Sequence, residues 1–293
     1  MESSAKGSFK VTLLGTGAPP PLIERFGPCT LVEAGGEKFL FDAGRGALQR
    51  LHQLKIPFKD ISGLFLTHLH SDHVVGIPDL WLTGRIGRPW GARTVPLPVW
   101  GPAGTREMMS YLEKAFQFDI GIRNKHYQSQ GAEVLAEDVS EGMVYEKSGL
   151  RIAAFGVNHG PLVKPAFGYR IDYGGRSVVL SGDTCYNENL IRHSRGADLL
   201  VHEVATASED LQQSSEQMQK ILGNHTPPEQ AGVVFAQVQP KLAVFSHVLL
   251  FGGTTEKDVM VRTRKTYSGP VEMGEDLMTV EVGEEVRIRR FTW

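Results

Sequence analysis

The chain has 293 residues, 41% hydrophobic and 22% charged, with a formal net charge of -2, which is ordinary globular composition and long enough for one large layered core. No long run of Lys or Arg occurs, which counts against a strongly basic nucleic-acid surface. The only cysteines, Cys29 and Cys185, exclude a disulfide framework and a thiolate zinc knuckle. No stretch reads as a membrane span, and the polar start from Met1 to Lys10 lacks an apolar signal core, so the cytoplasm is the expected compartment.

Residues 9–14 read as a strand closing on Gly15-Thr16-Gly17-Ala18-Pro19-Pro20. This is no dinucleotide fingerprint: the third glycine is missing, and Pro19 to Pro21 forbid a following helix. Residues 30–34 and 38–41 form a hairpin across Gly35-Gly36, and Asp42-Ala43-Gly44 turns the chain into a helix over 46–54. Asp42, at a strand end, is either a turn former or a carboxylate that orients a ligand histidine.

Leu64-Phe65-Leu66 then delivers Thr67-His68-Leu69-His70-Ser71-Asp72-His73, and residues 73–81 open like a helix. A lone histidine is usually an ordinary core or surface residue. Three histidines and an aspartate within one strand-to-helix turn are another matter, because imidazole and carboxylate are ligands that zinc accepts and their joint burial is costly without a cation. Residues 83–98 read as a loop beside that turn, carrying Trp90 and Arg85, Arg88 and Arg93, which suit an anionic substrate or a solvated face. A strand over 98–102 and a helix over 104–115 follow; residues 116–148 give no pattern, and His126 reads as a surface residue.

From Leu150 one event recurs. Residues 151–157 end at Asn158-His159, 177–180 at Gly182-Asp183, 198–201 at His202-Glu203, and 242–245 at Ser246-His247. In sheets crossed by helices the carboxyl ends of neighbouring strands share one edge, so these residues are expected to converge on His68, His70, Asp72 and His73. Such an inventory serves two ions: His68, His70 and His159 for one, Asp72, His73 and His247 for the other, and Asp183 between them, since a carboxylate has two oxygens and can bridge. A pair of ions would lower the pKa of bound water towards about 7 and polarise an ester oxygen, which makes the product a hydrolase. Two Zn2+ ions are expected, and Mn2+ or Fe2+ suit the same donors.

The chain resembles the metallo-β-lactamase superfamily, whose signature His-x-His-x-Asp-His stands here as His68 to His73, and the likeness extends over nearly the whole chain. It implies an α/β fold, a four-layer αββα sandwich, with residues 1–8 a tail and residues 9–293 a single hydrolase domain built of two β/α halves, metals lying at one sheet edge. It leaves the substrate open, because the fold hosts many hydrolases and some oxidoreductases. His202-Glu203-Val204-Ala205-Thr206 resembles the His-Glu-Ala-Thr segment of ribonuclease Z, and His225-Thr226-Pro227-Pro228-Glu229-Gln230-Ala231-Gly232 resembles its downstream histidine motif. The likeness implies catalytic roles for His225 and Glu203, a proton relay to the leaving oxygen, beside Asp72. A carboxylate raises a neighbouring imidazole's pKa and keeps it able to donate. A buried structural acid and a helix-start histidine are the plainer readings of the same two residues.

The sequence also departs from ribonuclease Z. Gly168-Tyr169-Arg170-Ile171-Asp172 reaches Ser177 through only Tyr173-Gly174-Gly175-Arg176, where that family inserts a long arm for tRNA; this counts against tRNA as a partner. Val99-Trp100-Gly101-Pro102 and Tyr267-Ser268-Gly269-Pro270, with Asp276-Leu277-Met278, are similar to arylsulfatase-like members and to ribonuclease Z-like enzymes that open β-lactams. The expectation is a dinuclear zinc hydrolase of phosphodiester or related aryl ester bonds in a small-molecule or nucleic-acid-like substrate. Arylsulfatase is the alternative, as is β-lactamase as main or side activity, although dedicated β-lactamases of this fold usually lack a bridging aspartate. A metal-stabilised binding protein without turnover is the reading of another class. A homodimer is common in the superfamily, and the oligomeric state stays open.

Overall fold

A computed structural model describes residues 8–87, 91–127 and 129–292; Arg88 and Trp90 therefore lie outside the described residues. In chain order the strands are β1 (Phe9–Gly15), β2 (Cys29–Ala34), β3 (Glu37–Phe41), β4 (Gly63–Phe65), β5 (Leu97–Gly101), β6 (Val134–Asp138), β7 (Gly142–Lys147) and β8 (Leu150–Gly156). There follow β9 (Phe167–Tyr173), β10 (Arg176–Leu180), β11 (Leu199–Ala207), β12 (Leu242–Phe251), β13 (Val271–Met273), β14 (Thr279–Val282) and β15 (Val286–Arg289). An eight-stranded sheet has the order β15-β14-β1-β2-β3-β4-β5-β6, and a seven-stranded sheet the order β13-β12-β11-β10-β9-β8-β7.

Alternation along the strands builds the layers, because successive side chains point to opposite faces. Phe39 and Phe41 of β3 enter a core shared with Ile152, Tyr169, Val178 and Val201 of the other sheet, whereas Leu40 joins Leu51, Trp81 and Met109 from helices outside the first sheet. On the far side Val179 and Leu200 pack against Ala231, Phe235 and Val259 of helices Pro228–Val238 and Glu256–Thr263. The result is helix, sheet, sheet, helix, the four-layer αββα sandwich expected from the signature. No helix among the described residues is long and apolar enough to cross a membrane.

Two local expectations need correction. Residues 116–148, patternless in sequence, hold helix Gln117–Arg123 and strands β6 and β7, which sit at sheet edges with mostly exposed residues and so carry no clean periodicity. His126 is exposed there, on the surface as expected. Strands β11 and β12 do not stop at His202-Glu203 and Ser246-His247 but run on to Ala207 and Phe251, paired with each other beyond the rest of the sheet.

Asp276 pins the chain entry to this frame. Its Oδ1 accepts from the Thr16 amide at 2.9 Å and the Thr16 hydroxyl at 2.8 Å, and its Oδ2 accepts from the Phe26 amide and from Arg50 Nη2, both at 2.8 Å. Both members of the Arg50–Asp276 pair are buried. Removing one partner strands the other charge, so Asp276→Ala is expected to cost about 3–5 kcal/mol of stability. A urea melt reads the loss directly, and an unchanged midpoint would mean that the pair contributes nothing.

Candidate metal centre

The His68–His73 turn leaves the carboxyl end of β4, Asp42 the end of the neighbouring parallel strand β3, and Asp183 lies just beyond β10. β8 is antiparallel to β9, which is antiparallel to β10, so His159 reaches the same edge as Asp183. Gly182 makes the turn before Asp183 possible: its φ is +59°, and a Cβ there would meet the Phe167 carbonyl oxygen at 2.4 Å. His247 arrives differently. The β11–β12 register passes from His202↔Phe245 to Val204↔Val248, so two residues of β12 face Glu203 alone, and His247 takes φ 46° in that bulge. A bulge re-aims side chains, and a non-glycine residue in the left-handed region is strain held by its surroundings, here at the site itself.

The side chains converge. His68 Nε2 and His159 Nε2 lie 3.0 and 3.2 Å from His70 Nδ1. On the other side Asp72 Oδ2 is 3.5 Å from His73 Nε2 and 3.4 Å from His247 Nε2. Asp183 Oδ2 stands between the groups, 3.8 Å from both His68 and His159, 3.4 Å from His73 and 3.2 Å from His247. Every residue assigned to a metal ligand set in the sequence is thus brought to one edge.

This donor set fits metal ions. Tetrahedral ligands about 2.0–2.1 Å from zinc lie about 3.3 Å from one another, close to the spacings found here. His73 Nε2 is buried without a hydrogen-bond partner although it faces two carboxylates. Burial pushes the His68, His70 and His159 imidazoles below their ordinary range, which keeps lone pairs available. Burial alone would raise the Asp183 carboxyl, but His247, His73 and His68 hold it well below the carboxylate range.

Outer contacts select the nitrogen that points inwards. His73 Nδ1 donates to Asp42 Oδ2 at 2.8 Å, and His159 Nδ1 donates to the Asn224 carbonyl at 3.0 Å. The Thr67 hydroxyl donates to Asp42 Oδ2 at 2.8 Å, so its oxygen is left to accept from His68 Nδ1 at 3.0 Å. Asp42 therefore orients a histidine, the sharper of its two readings. Such partners typically carry about 10–100-fold in metal affinity. Asp42→Asn, which tolerates the φ of 60° there, is expected to weaken metal binding by that factor in a chelator competition titration, with unaltered affinity the disproof.

Beside this cluster Glu203 Oε1 accepts from the Thr226 amide at 2.8 Å, and Glu203 Oε2 lies 3.3 Å from His225 Nδ1. The His225 ring sits between those of His159 and His247, at centroid distances of 4.9 and 5.7 Å. Burial alone would lower the His225 pKa, but the Glu203 carboxylate outweighs it and lifts the value to about 9. His202, next in sequence, turns the other way: its Nδ1 donates to the Glu203 carbonyl at 2.6 Å, and its ring meets Phe235 edge-on.

Arg85 and Arg93 are not available to a substrate, contrary to one of the two readings of their loop. Arg85 is 1% exposed with Nη2 donating to Asn124, and Arg93 is 4% exposed, its Nη2 donating to the carbonyls of Phe58 and Ile61 at 2.7 and 2.9 Å. They tie the loop to the helical layer. The contacts missed from sequence are those of Thr67 and of the Asn224 carbonyl; a backbone acceptor leaves no side-chain signal, while Thr67 was visible beside the signature. A cavity of about 360 Å3 opens onto the cluster, lined by His70, Asp183, His225 and His247 together with Leu249 and Phe251.

This fold and this site define a metal-dependent hydrolase, and comparison with known proteins agrees. The Beta-lactamase superfamily domain matches residues 37–248. Ribonuclease Z of Mycobacterium avium is 38% identical over 278 residues, covering 94% of this chain and 98% of that protein. Ribonuclease Z of Mycobacterium tuberculosis is 34% identical over 277 residues, with the same coverage. Among solved structures, a metallo-beta-lactamase fold protein from Bacillus subtilis superposes with a TM-score of 0.72 at 20% identity over 94% of this chain and 100% of that one. The short form of human tRNase Z gives 0.69 at 20% identity over 94% and 99%. The chain belongs to the β-lactamase superfamily, in its ribonuclease Z branch.

Proposed function

We propose that this protein is a dinuclear zinc phosphodiesterase acting on RNA or a nucleic-acid-like diester, with His225 as the acid that protonates the leaving oxygen. The observation that carries the reading is the Glu203–His225 contact of 3.3 Å set beside ligand groups joined through Asp183. His68, His70 and His159 would hold one ion and Asp72, His73 and His247 the other, with Asp183 shared. When bound, such a pair supplies Lewis acidity and brings water towards a pKa of about 7. The chain's own part is then proton delivery. Glu203 keeps the His225 ring charged and fixes Nδ1, so the opposite ring nitrogen presents a proton to the departing alkoxide. The ribonuclease Z names of the relatives favour a phosphodiester of RNA over a sulfate ester or a lactam.

The short Tyr173–Arg176 connection leaves no arm at that position, but it does not separate this chain from those relatives, whose lengths match its own almost end to end. The test is elemental analysis followed by a side-by-side panel on the loaded protein. Two zinc ions per chain and turnover of bis(p-nitrophenyl) phosphate above that of p-nitrophenyl sulfate and nitrocefin are expected. A single ion, or a preference for the sulfate or the lactam, would overturn the reading.

A further inference from the structure

The extension of β12 past the site lays out a track. Beyond the bulge Leu249 and Phe251 alternate along the strand onto one face, and both border the same cavity as His247. At a strand rise of about 3.3 Å per residue, Leu249 stands roughly 7 Å and Phe251 roughly 13 Å along from His247. The paired strand offers small residues at the same level, Ala205 opposite Leu249 and Ala207 opposite Phe251. Ala18, Ala205 and Leu249 form a buried cluster on which Phe251 packs, so the wall is a supported surface. Ile221 faces the same cavity near His225, and no Lys or Arg among the described residues lines it.

We propose, resting on the phosphodiesterase reading, that this track is the subsite for the group carried by the leaving oxygen, and that it selects a flat, weakly polar group such as a nucleobase or aryl ring. The side on which it lies follows from His225. The residue that protonates the leaving oxygen stands on the cavity wall with Ile221, Leu249 and Phe251, so the group attached to that oxygen runs along them. A second charged group there meets no cation from the protein, whereas a planar ring buries its faces against Leu249 and Phe251. Phe251 is thus a specificity-determining residue with no part in the proton transfer.

Binding of two phosphonates, phenyl and methyl, with a carboxymethyl one as charged control, to the zinc-loaded full chain tests this independently of turnover. Phenylphosphonate is expected to bind about tenfold more tightly than methylphosphonate, and carboxymethylphosphonate no more tightly than methylphosphonate. Phe251→Ala should erase the phenyl preference while leaving methylphosphonate affinity and metal content unchanged, and Phe251→Tyr should retain it. Equal binding of the two phosphonates by the parent protein, or a preference untouched by Phe251→Ala, would overturn the subsite even in a protein that hydrolyses diesters. Failure to hydrolyse bis(p-nitrophenyl) phosphate with the phenyl preference intact would instead sink the phosphodiesterase reading alone.

Discussion

Asp183→Ala is expected to lose about 10³-fold or more of kcat/KM on a phosphodiester, since a bound ion's stabilisation of the reacting charge amounts to several kcal/mol. The reason is its position. Asp183 Oδ2 lies 3.8 Å or less from His68, His73, His159 and His247, so one carboxylate serves both ligand groups. Its removal also withdraws the one buried anion among the described residues that faces both groups at once, leaving the His68, His70 and His159 group without a carboxylate and the other with Asp72 alone. Metal content per chain should therefore fall for both positions together. Asp72 lies against His73 and His247, so Asp72→Ala should affect one ion more than the other. Elemental analysis of the two variants beside the parent separates the cases; an Asp183→Ala protein that keeps both ions and its activity would dismiss the shared role.

His225→Ala should cost about 10²–10⁴-fold in kcat on a diester whose leaving oxygen belongs to an alkyl or nucleoside alcohol, the usual range for general acid catalysis. On bis(p-nitrophenyl) phosphate the loss should be far smaller, because p-nitrophenolate departs without a proton. Equal losses on both substrates would point to a role in binding or folding instead. The pH profile carries the sign. His225 must be protonated to donate, and its pKa is raised to about 9 chiefly by Glu203 acting against burial. Rate on the alkyl diester therefore falls as pH rises through that pKa, which two bound cations would bring below 9. Glu203→Gln removes the anion and should move the alkaline limb to lower pH. In the metal-free protein the same contact stabilises the fold fully below about 6.5, the ordinary histidine value, and that contribution is lost as pH rises through about 9.

The turn from His68 to His73 was legible because its chemistry is dense and local, and the strands leading to His159 and Asp183 were legible because apolar runs end in a polar residue. That rule failed at β11 and β12. There the apolar pattern continues through Val204-Ala205 and Val248-Leu249-Leu250-Phe251, so the functional residues lie within strands rather than after them. Reading His202-Glu203 and Ser246-His247 as strand ends put Glu203 and His247 at the right edge but hid the bulge that aims them. It also hid the wall formed by Leu249 and Phe251. The arginines of the 83–98 loop show the converse: composition suggested a face for an anion, and packing buried two of the guanidiniums, Arg85 against the Asn124 side chain and Arg93 against the backbone carbonyls of Phe58 and Ile61.

The sequence by itself determined the layered α/β class, the metal-binding turn and the identity of the residues able to reach it, because ligand type, spacing and strand periodicity are local properties of the chain. Tertiary structure alone decided which nitrogen of each histidine faces inwards, that Asp183 stands between two groups of donors, and that an apolar track leads away from them. Those outcomes depend on partners far off in sequence, a carbonyl at Asn224, a carboxylate at Asp42, a register shift between two parallel strands, and no local pattern encodes where such partners meet.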